Sequence, residues 1–203
     1  MTQETKPKAT TKATPGASPK AVPKPAAARN TATALATPRA AAPKGLTILF
    51  IRHADAGDSA AWTGNDADRP LSKKGRKQAK RLGDLLDRLR LRPEPLLTSP
   101  RIRAADTARL IGRRIGRESK IEPRLDAGFD AEALASLVAE LDASSTVAIV
   151  GHDPDFSTLA SWLVDAPLAL SKGALARIDL SEGVIGAGKG TLQWLLPPDA
   201  VPS

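Results

Sequence analysis

Residues 46–53 read LTILFIRH, a short apolar run with β-branched residues that ends in an arginine and a histidine. Bounded by Gly45 before it and by a loop rich in Asp, Gly and Asn (53–70) after it, the run predicts a strand buried on both faces. TVAIV at 146–150 is a second run of this kind, and it ends in Gly151 and His152. The chain has two histidines in all, and each directly follows one of these strands or its closing residue. Strands buried on both faces belong to a parallel sheet covered by helices, where ligands sit beyond the carboxyl ends of the strands. Both histidines stand where such a fold places its working groups.

Working outward, apolar residues recur at helical spacing between the strands. Ser72 is the expected N-cap of a helix whose inner face is Ala79, Leu82, Leu85, Leu86 and Leu89, stopped by Pro93 and Pro95. PLLTS (95–99) reads as a strand, and a helix from Pro100 to Arg117 follows with Ala104, Ala108, Ile111 and Ile115 inward. A brief strand near Ile121 precedes a helix capped by Asp130 with Leu134, Leu137, Val138 and Leu141 as its stripe. Asp155 is the expected cap of the helix carrying Phe156, Leu159, Ala160 and Leu163. ALARIDL (174–180) and TLQWLL (191–196) alternate around a Gly-rich turn and predict a β-hairpin or a pair of edge strands. The expected fold is α/β: a three-layer α/β/α sandwich with a mostly parallel sheet, over residues 45–198. Trp162 and Trp194 are expected in its core and Trp62 at the wall of its pocket.

The formal charge of +8 is unevenly held. Residues 1–44, rich in Ala, Pro, Lys and Thr, carry eight bases against Glu4, and residues 45–203 carry 22 bases and 21 acids. A segment so poor in large apolar residues cannot offset the entropy of ordering, so 1–44 is expected to be a disordered basic tail. The nearly neutral domain has no electrostatic footprint for nucleic acid, which leaves the tail as the place for any such contact, weak and salt-dependent. The absence of cysteine excludes disulfides, thiol catalysis and thiolate metal sites. No apolar run approaches a membrane span and no secretory h-region is present, so no membrane partner and a cytoplasmic location are expected.

A third chemical signal is TSPRIRAADTA (98–108), where a strand ends and the next helix opens with Arg101 and Arg103. Free backbone N–H groups and a guanidinium fork suit a phosphate. Arg52, His53, Arg103 and His152 together describe a pocket for a phosphoryl group, with an imidazole as a competent nucleophile and no need of a metal or cofactor. Arg101 reads as solvated surface, Asp153 as a turn residue. GVIGAGKGT (183–191) nearly spells a phosphate-binding loop, but Gly190 stands at its Ser/Thr position and a strand follows where a helix is required.

RHADAG (52–57), RPLSKKGRKQA (69–79), TSPRIRAADTA and GHDPDFSTL (151–159), in this order, resemble the histidine phosphatase superfamily (the phosphoglycerate mutase-like proteins), and within it the SixA-type phosphohistidine phosphatase branch. The resemblance implies that His53 becomes transiently phosphorylated, that Arg52, Arg103 and His152 hold the phosphoryl oxygens, and that Arg69 lines the entrance as a substrate-binding residue. Ala54 stands where glycine usually follows the nucleophile, which fits the SixA-like branch. The implied partner is a phosphohistidine-bearing signalling or phosphotransfer protein, with a small phosphate ester as the alternative substrate. Two rival classes are a metallohydrolase, with His53, His152 and nearby aspartates as ligands, and a non-catalytic phosphoprotein-binding module. Asp55, Asp66, Asp126 and Asp130 are all candidates for a general acid. A phosphohistidine substrate relaxes that need, because its leaving imidazole is already protonated near neutral pH.

Overall fold

The computed structural model of the chain describes residues 45–141, 145–181 and 184–201. The tail expected at 1–44, and the start of the Gly-rich turn at 183, lie outside the described residues. Six strands are present: β1 (Gly45–Arg52), β2 (Leu96–Thr98), β3 (Ser119–Ile121), β4 (Thr146–Gly151), β5 (Leu175–Ser181) and β6 (Gly190–Leu196). Four helices join them: α1 (Lys73–Arg88), α2 (Ile102–Ile115), α3 (Ala131–Ala139) and α4 (Asp155–Val164). The strands form one sheet in the order β3-β2-β4-β1-β5-β6. The first four run parallel, and β5 and β6 close the sheet as an antiparallel hairpin, one of the two arrangements that the alternating patterns predict.

β1 lies at the centre, and its side chains alternate between two cores. Leu46, Ile48 and Phe50 face Leu134, Leu137, Phe156 and Leu159 of α3 and α4. Leu49 and Ile51 face Leu82 and Leu86 of α1 and Ala104, Ala108 and Ile111 of α2. Both faces of the sheet are therefore covered, which is why the strand reads as a continuous apolar run. Leu89, expected on the inner face of α1, is half exposed because the helix ends at Arg88. Trp162 and Trp194 pack at the margins of the two cores, only partly buried.

Two helix starts differ from expectation. α2 begins at Ile102, not Pro100, because Arg101 is extended and its N–H is taken by Ser99 Oγ at 3.2 Å. α4 has Pro154 at its cap position, and Asp155 instead accepts from the N–H groups of Gly128 (2.8 Å) and Phe129 (3.2 Å). The carboxylate thus ties the 126–129 loop to α4 and caps no helix of its own.

Two glycines let backbone come close to the future site. A Cβ at Gly151 would meet the Phe156 ring at 2.5 Å, and one at Gly75 would meet the carbonyl oxygen of Asp55 at 1.9 Å. The first turn of α1 therefore lies directly against the loop that follows His53. Because that neighbour is backbone, Gly75→Ala is expected to lose about 1–3 kcal/mol in urea unfolding, whereas Lys74→Ala beside it changes stability by less than about 0.5 kcal/mol. Equal stability of the two variants would show that the contact has slack.

Candidate active site

β1 and β4 pair with Arg52 opposite Gly151, so the residue after each strand leaves the sheet at the same level. The His53 N–H donates to Gly151 O at 2.9 Å, and the two imidazole rings lie 5.2 Å apart at 54°. β2 ends beside them, with Ser99 N–H on Val150 O at 2.9 Å. These three strand ends floor a cavity of about 320 Å³ lined by His53, His152, Arg52, Arg69, Arg101, Arg103 and Lys172. All five residues singled out in the sequence are brought together here.

His53 is buried, and its Nδ1 lies 2.8 Å from Ala54 O. A carbonyl only accepts, so Nδ1 carries the proton and Nε2 keeps its lone pair. Arg103 Nε donates to that lone pair at 3.2 Å. Burial, opposed by the Ala54 hydrogen bond and reinforced by His152 and the cations Arg103 and Arg52, brings His53 down to about 3. His152 is likewise brought down to about 4, by burial first and then by Arg103 and Arg101. Both rings are neutral at pH 7. His152 Nε2 shares a hydrogen bond of 2.8 Å with Ser99 Oγ, while its Nδ1 and the Nε of Arg52 are buried with no hydrogen-bond partner. Both residues line the cavity through other atoms of their side chains.

The cations are held by acids. Asp66 is the hub: its Oδ1 accepts from Arg69 Nε (2.9 Å), and its Oδ2 accepts from Arg103 (3.0 Å) and Arg101 (3.3 Å). Its carbonyl also takes a hydrogen bond from Arg103 at 2.6 Å. Arg69 donates in addition to Ala56 O, which fixes it at the rim. Arg52 donates to Leu170 O at 2.7 Å and lies 3.3 Å from Asp153.

Several expectations change. Arg101 is no bystander: it lines the cavity and links Asp66 to Asp126. Asp153 is more than a turn residue, since it pairs with Arg52 and accepts from Ser157 Oγ. Trp62 borders a neighbouring cavity with Ala56, Gly57 and Arg69, away from the histidines. Among the four candidate acids, Asp130 caps α3 through Ala133 N–H. Asp55 is held low by the Ser72 hydroxyl above all, and Asp66 by the Arg69 hydrogen bond and the Arg103 charge. Burial pushes Asp126 up, but hydrogen bonds from Arg101 and Ala127 N–H outweigh it and leave the carboxyl low. Lys172 and Ser99 were not singled out. Lys172 sits in an irregular loop with no motif around it, whereas Ser99 lies inside TSPR, beside the arginines, where a strand-end hydroxyl is a signal for an imidazole partner. No group of three or more His, Asp or Glu among the described residues could hold a metal ion, and no helix among them is long and apolar enough to cross a membrane.

Residues 48–127 match the family model of the histidine phosphatase superfamily (branch 1). An uncharacterised protein of Picosynechococcus sp. (strain ATCC 27264 / PCC 7002 / PR-6) is 34% identical over 122 residues, 58% of this chain and 70% of that one. The phosphohistidine phosphatase SixA of Escherichia coli (strain K12) is 29% identical over 161 residues, covering 75% of this chain and 94% of the relative. The solved structure of a protein histidine phosphatase SixA complexed with tungstate has the same fold, with a TM-score of 0.65 and 24% identity over 77% of this chain and 99% of that one.

Two outcomes are expected from this geometry. Asp66→Asn removes the charge that orients Arg69, Arg101 and Arg103, and lowers kcat/KM on any phosphate substrate by about 10- to 100-fold, the worth of one or two charge-assisted hydrogen bonds; an unchanged value would show that the arginines orient themselves. The second concerns stability. Both histidines bind protons near pH 6.5 when unfolded but only near 3 and 4 when folded. Above pH 6.5 the two states are equally neutral. As pH falls below 6.5 the unfolded chain takes up protons that the folded one refuses, so stability drops by up to about 1.4 kcal/mol per pH unit for each histidine. Urea unfolding at pH 7 and pH 5 checks this, and His53→Asn is expected to halve the drop.

Proposed function

The chain belongs to the histidine phosphatase superfamily and is a phosphatase, and on that premise we propose that it hydrolyses phosphohistidine on a protein partner, with His53 as the nucleophile. The observation that carries this reading is the tautomer of His53: Nδ1 is committed to Ala54 O, which leaves the Nε2 lone pair at the floor of a cavity lined with cations. Ring neutrality at physiological pH keeps that lone pair available, and the cations around it neutralise a tetrahedral oxyanion. The SixA relative solved with tungstate holds an oxyanion of that shape.

In the first step Nε2 forms a bond to phosphorus while the phosphorus–nitrogen bond of the substrate breaks and its electron pair leaves with the substrate imidazole. Arg103 Nε–H, which occupies the lone pair in the ligand-free protein, moves to a phosphoryl oxygen as attack begins. Arg52 and His152, which line the same cavity, meet the other oxygens. In the second step water attacks phosphorus, the bond to Nε2 breaks with its electron pair returning to the ring, and dihydrogen phosphate leaves with both protons of the water.

The choice of substrate follows from the acids. Asp55, Asp66 and Asp126 are all held anionic by hydrogen-bond donors, so none is placed to protonate a leaving alkoxide. A phosphohistidine needs no such donor, since its leaving nitrogen departs as imidazole. Between α2 and β4 the described residues form only β3, a short 3₁₀ turn and α3, and so hold no long cap to close over a small metabolite.

The test is the full-length protein in chelator, given a histidine-phosphorylated protein and, separately, para-nitrophenyl phosphate. The wild type is expected to clear the phosphohistidine at the higher kcat/KM, and His53→Ala to lose at least ~1,000-fold. Activity confined to the small ester would move the substrate to small phosphate esters, and undiminished activity of His53→Ala would sink the mechanism.

A further inference from the structure

The outer face of the first turns of α1 carries charge that folding does not call for. Lys73, Lys74, Arg76, Lys77, Lys80 and Arg81 are six cations within nine residues, with no acid among them. All but Arg81 are exposed. Among the described residues none of the six makes an ion pair. Two local rules are broken at once. The first turn of α1 holds no acid, and its lysines face the positive end of the helix dipole. Like charges also stack at helical spacing, Lys73 on Lys77, Arg76 on Lys80 and Lys77 on Arg81, which disfavours the helix. Where a sequence works against its own local structure without compensation, function is the usual reason.

The surroundings sharpen the point. Residues 45–203 carry 22 bases and 21 acids, so with these six set aside 16 bases face 21 acids. Apart from the strip, the domain therefore carries a net excess of acids. It also begins beside the loop that follows His53. Ser72, which caps α1, donates to Asp55, two residues after His53. Lys74 lies near enough for its charge to act on Asp55, and Lys172, which lines the cavity, is 4.0 Å from the same carboxylate.

We propose that this cationic strip of α1 docks an acidic surface of the protein that presents the phosphohistidine, an inference that rests on the substrate reading above. From Lys73 to Arg81 the strip runs about 12 Å, the size of an acidic patch on a folded partner. The described residues of the strip offer no aromatic ring on which a nucleic-acid base could stack. The strip contributes attraction and orientation, and leaves the chemistry to the cavity.

The test uses the full-length protein, wild type and Lys73→Glu/Lys77→Glu/Lys80→Glu, so that residues 1–44 are common to both. The probes are two fluorescent peptides identical around one histidine, with a distal run of six Glu in one and six Gln in the other, unphosphorylated for binding and phosphorylated for turnover. At low salt the wild type is expected to bind the Glu peptide at least ~10-fold more tightly than the Gln peptide, a preference that salt erodes. The triple variant is expected to lose that excess, and to lose it equally in kcat/KM on the phosphorylated pair. Its rate on para-nitrophenyl phosphate stays unchanged, and its unfolding temperature is equal or higher because the helix conflict is relieved. A wild type without preference, or a variant that keeps it, overturns the proposal. So does tighter binding of a single-stranded oligonucleotide of equal charge that the triple variant loses, which would make the strip a nucleic-acid contact. If neither phosphorylated peptide is turned over while the small ester is, the substrate reading has failed and the proposal with it. That outcome is distinct from equal turnover of both peptides, which sinks the docking surface alone.

Discussion

The parallel pairing of β1 with β4 places six residues of one strand opposite six of the other, ending with Arg52 beside Gly151. With that register both chains leave the sheet at one level, and each delivers its histidine to the same point. A slip of one residue would turn every side chain of β1 to the opposite core, exchanging Ile48 and Phe50 for Leu49 and Ile51. The two hydrophobic cores therefore hold the histidines in place: the register that buries the strands correctly is the register that aligns the rings. Gly151 belongs to the same constraint, since any larger residue before His152 would strike Phe156 in one of those cores.

Around that point the protein concentrates positive charge and then contains it. Arg101, Arg103 and Arg69 converge on the single carboxylate of Asp66, and Arg52 leans on Asp153. Mutual repulsion among buried guanidinium groups would otherwise splay them, and the acids fix each fork in one orientation. Burial first, and then the nearby cations, lowers the basicity of both imidazoles. On the proposed reading, the pocket has many donors for a phosphate and few protons to give, which suits a substrate whose leaving group needs none.

The α1 helix shows a different use of charge. Its inner residues, Ala79, Leu82 and Leu86, satisfy the core, and Gly75 lets the helix start press against the loop after His53. Its outer residues oppose the helix dipole and one another. Inner and outer faces answer to different demands, packing on one side and the approach of a negatively charged partner on the other.

Strand positions, the covered sheet, the closing pair of strands and the placement of His53 and His152 were legible in the chain alone, because apolar periodicity and burial are local consequences of a strand lying between two helical layers. Arg52 and Arg103 were legible for a related reason, as each lies within a residue or a turn of a strand end. The partners of those groups were not. Asp66, read as one of four candidate acids, became an arginine clamp because residues 66, 69, 101 and 103 meet only when α2 and the loop before α1 fold against each other. Asp155 looked like a cap because its neighbours in sequence begin a helix, yet its hydrogen bonds go to a loop 26 and 27 residues away. Which carboxylate meets which cation depends on distances between segments far apart in the chain, and those distances come into being only when the sheet and its two helical layers have closed.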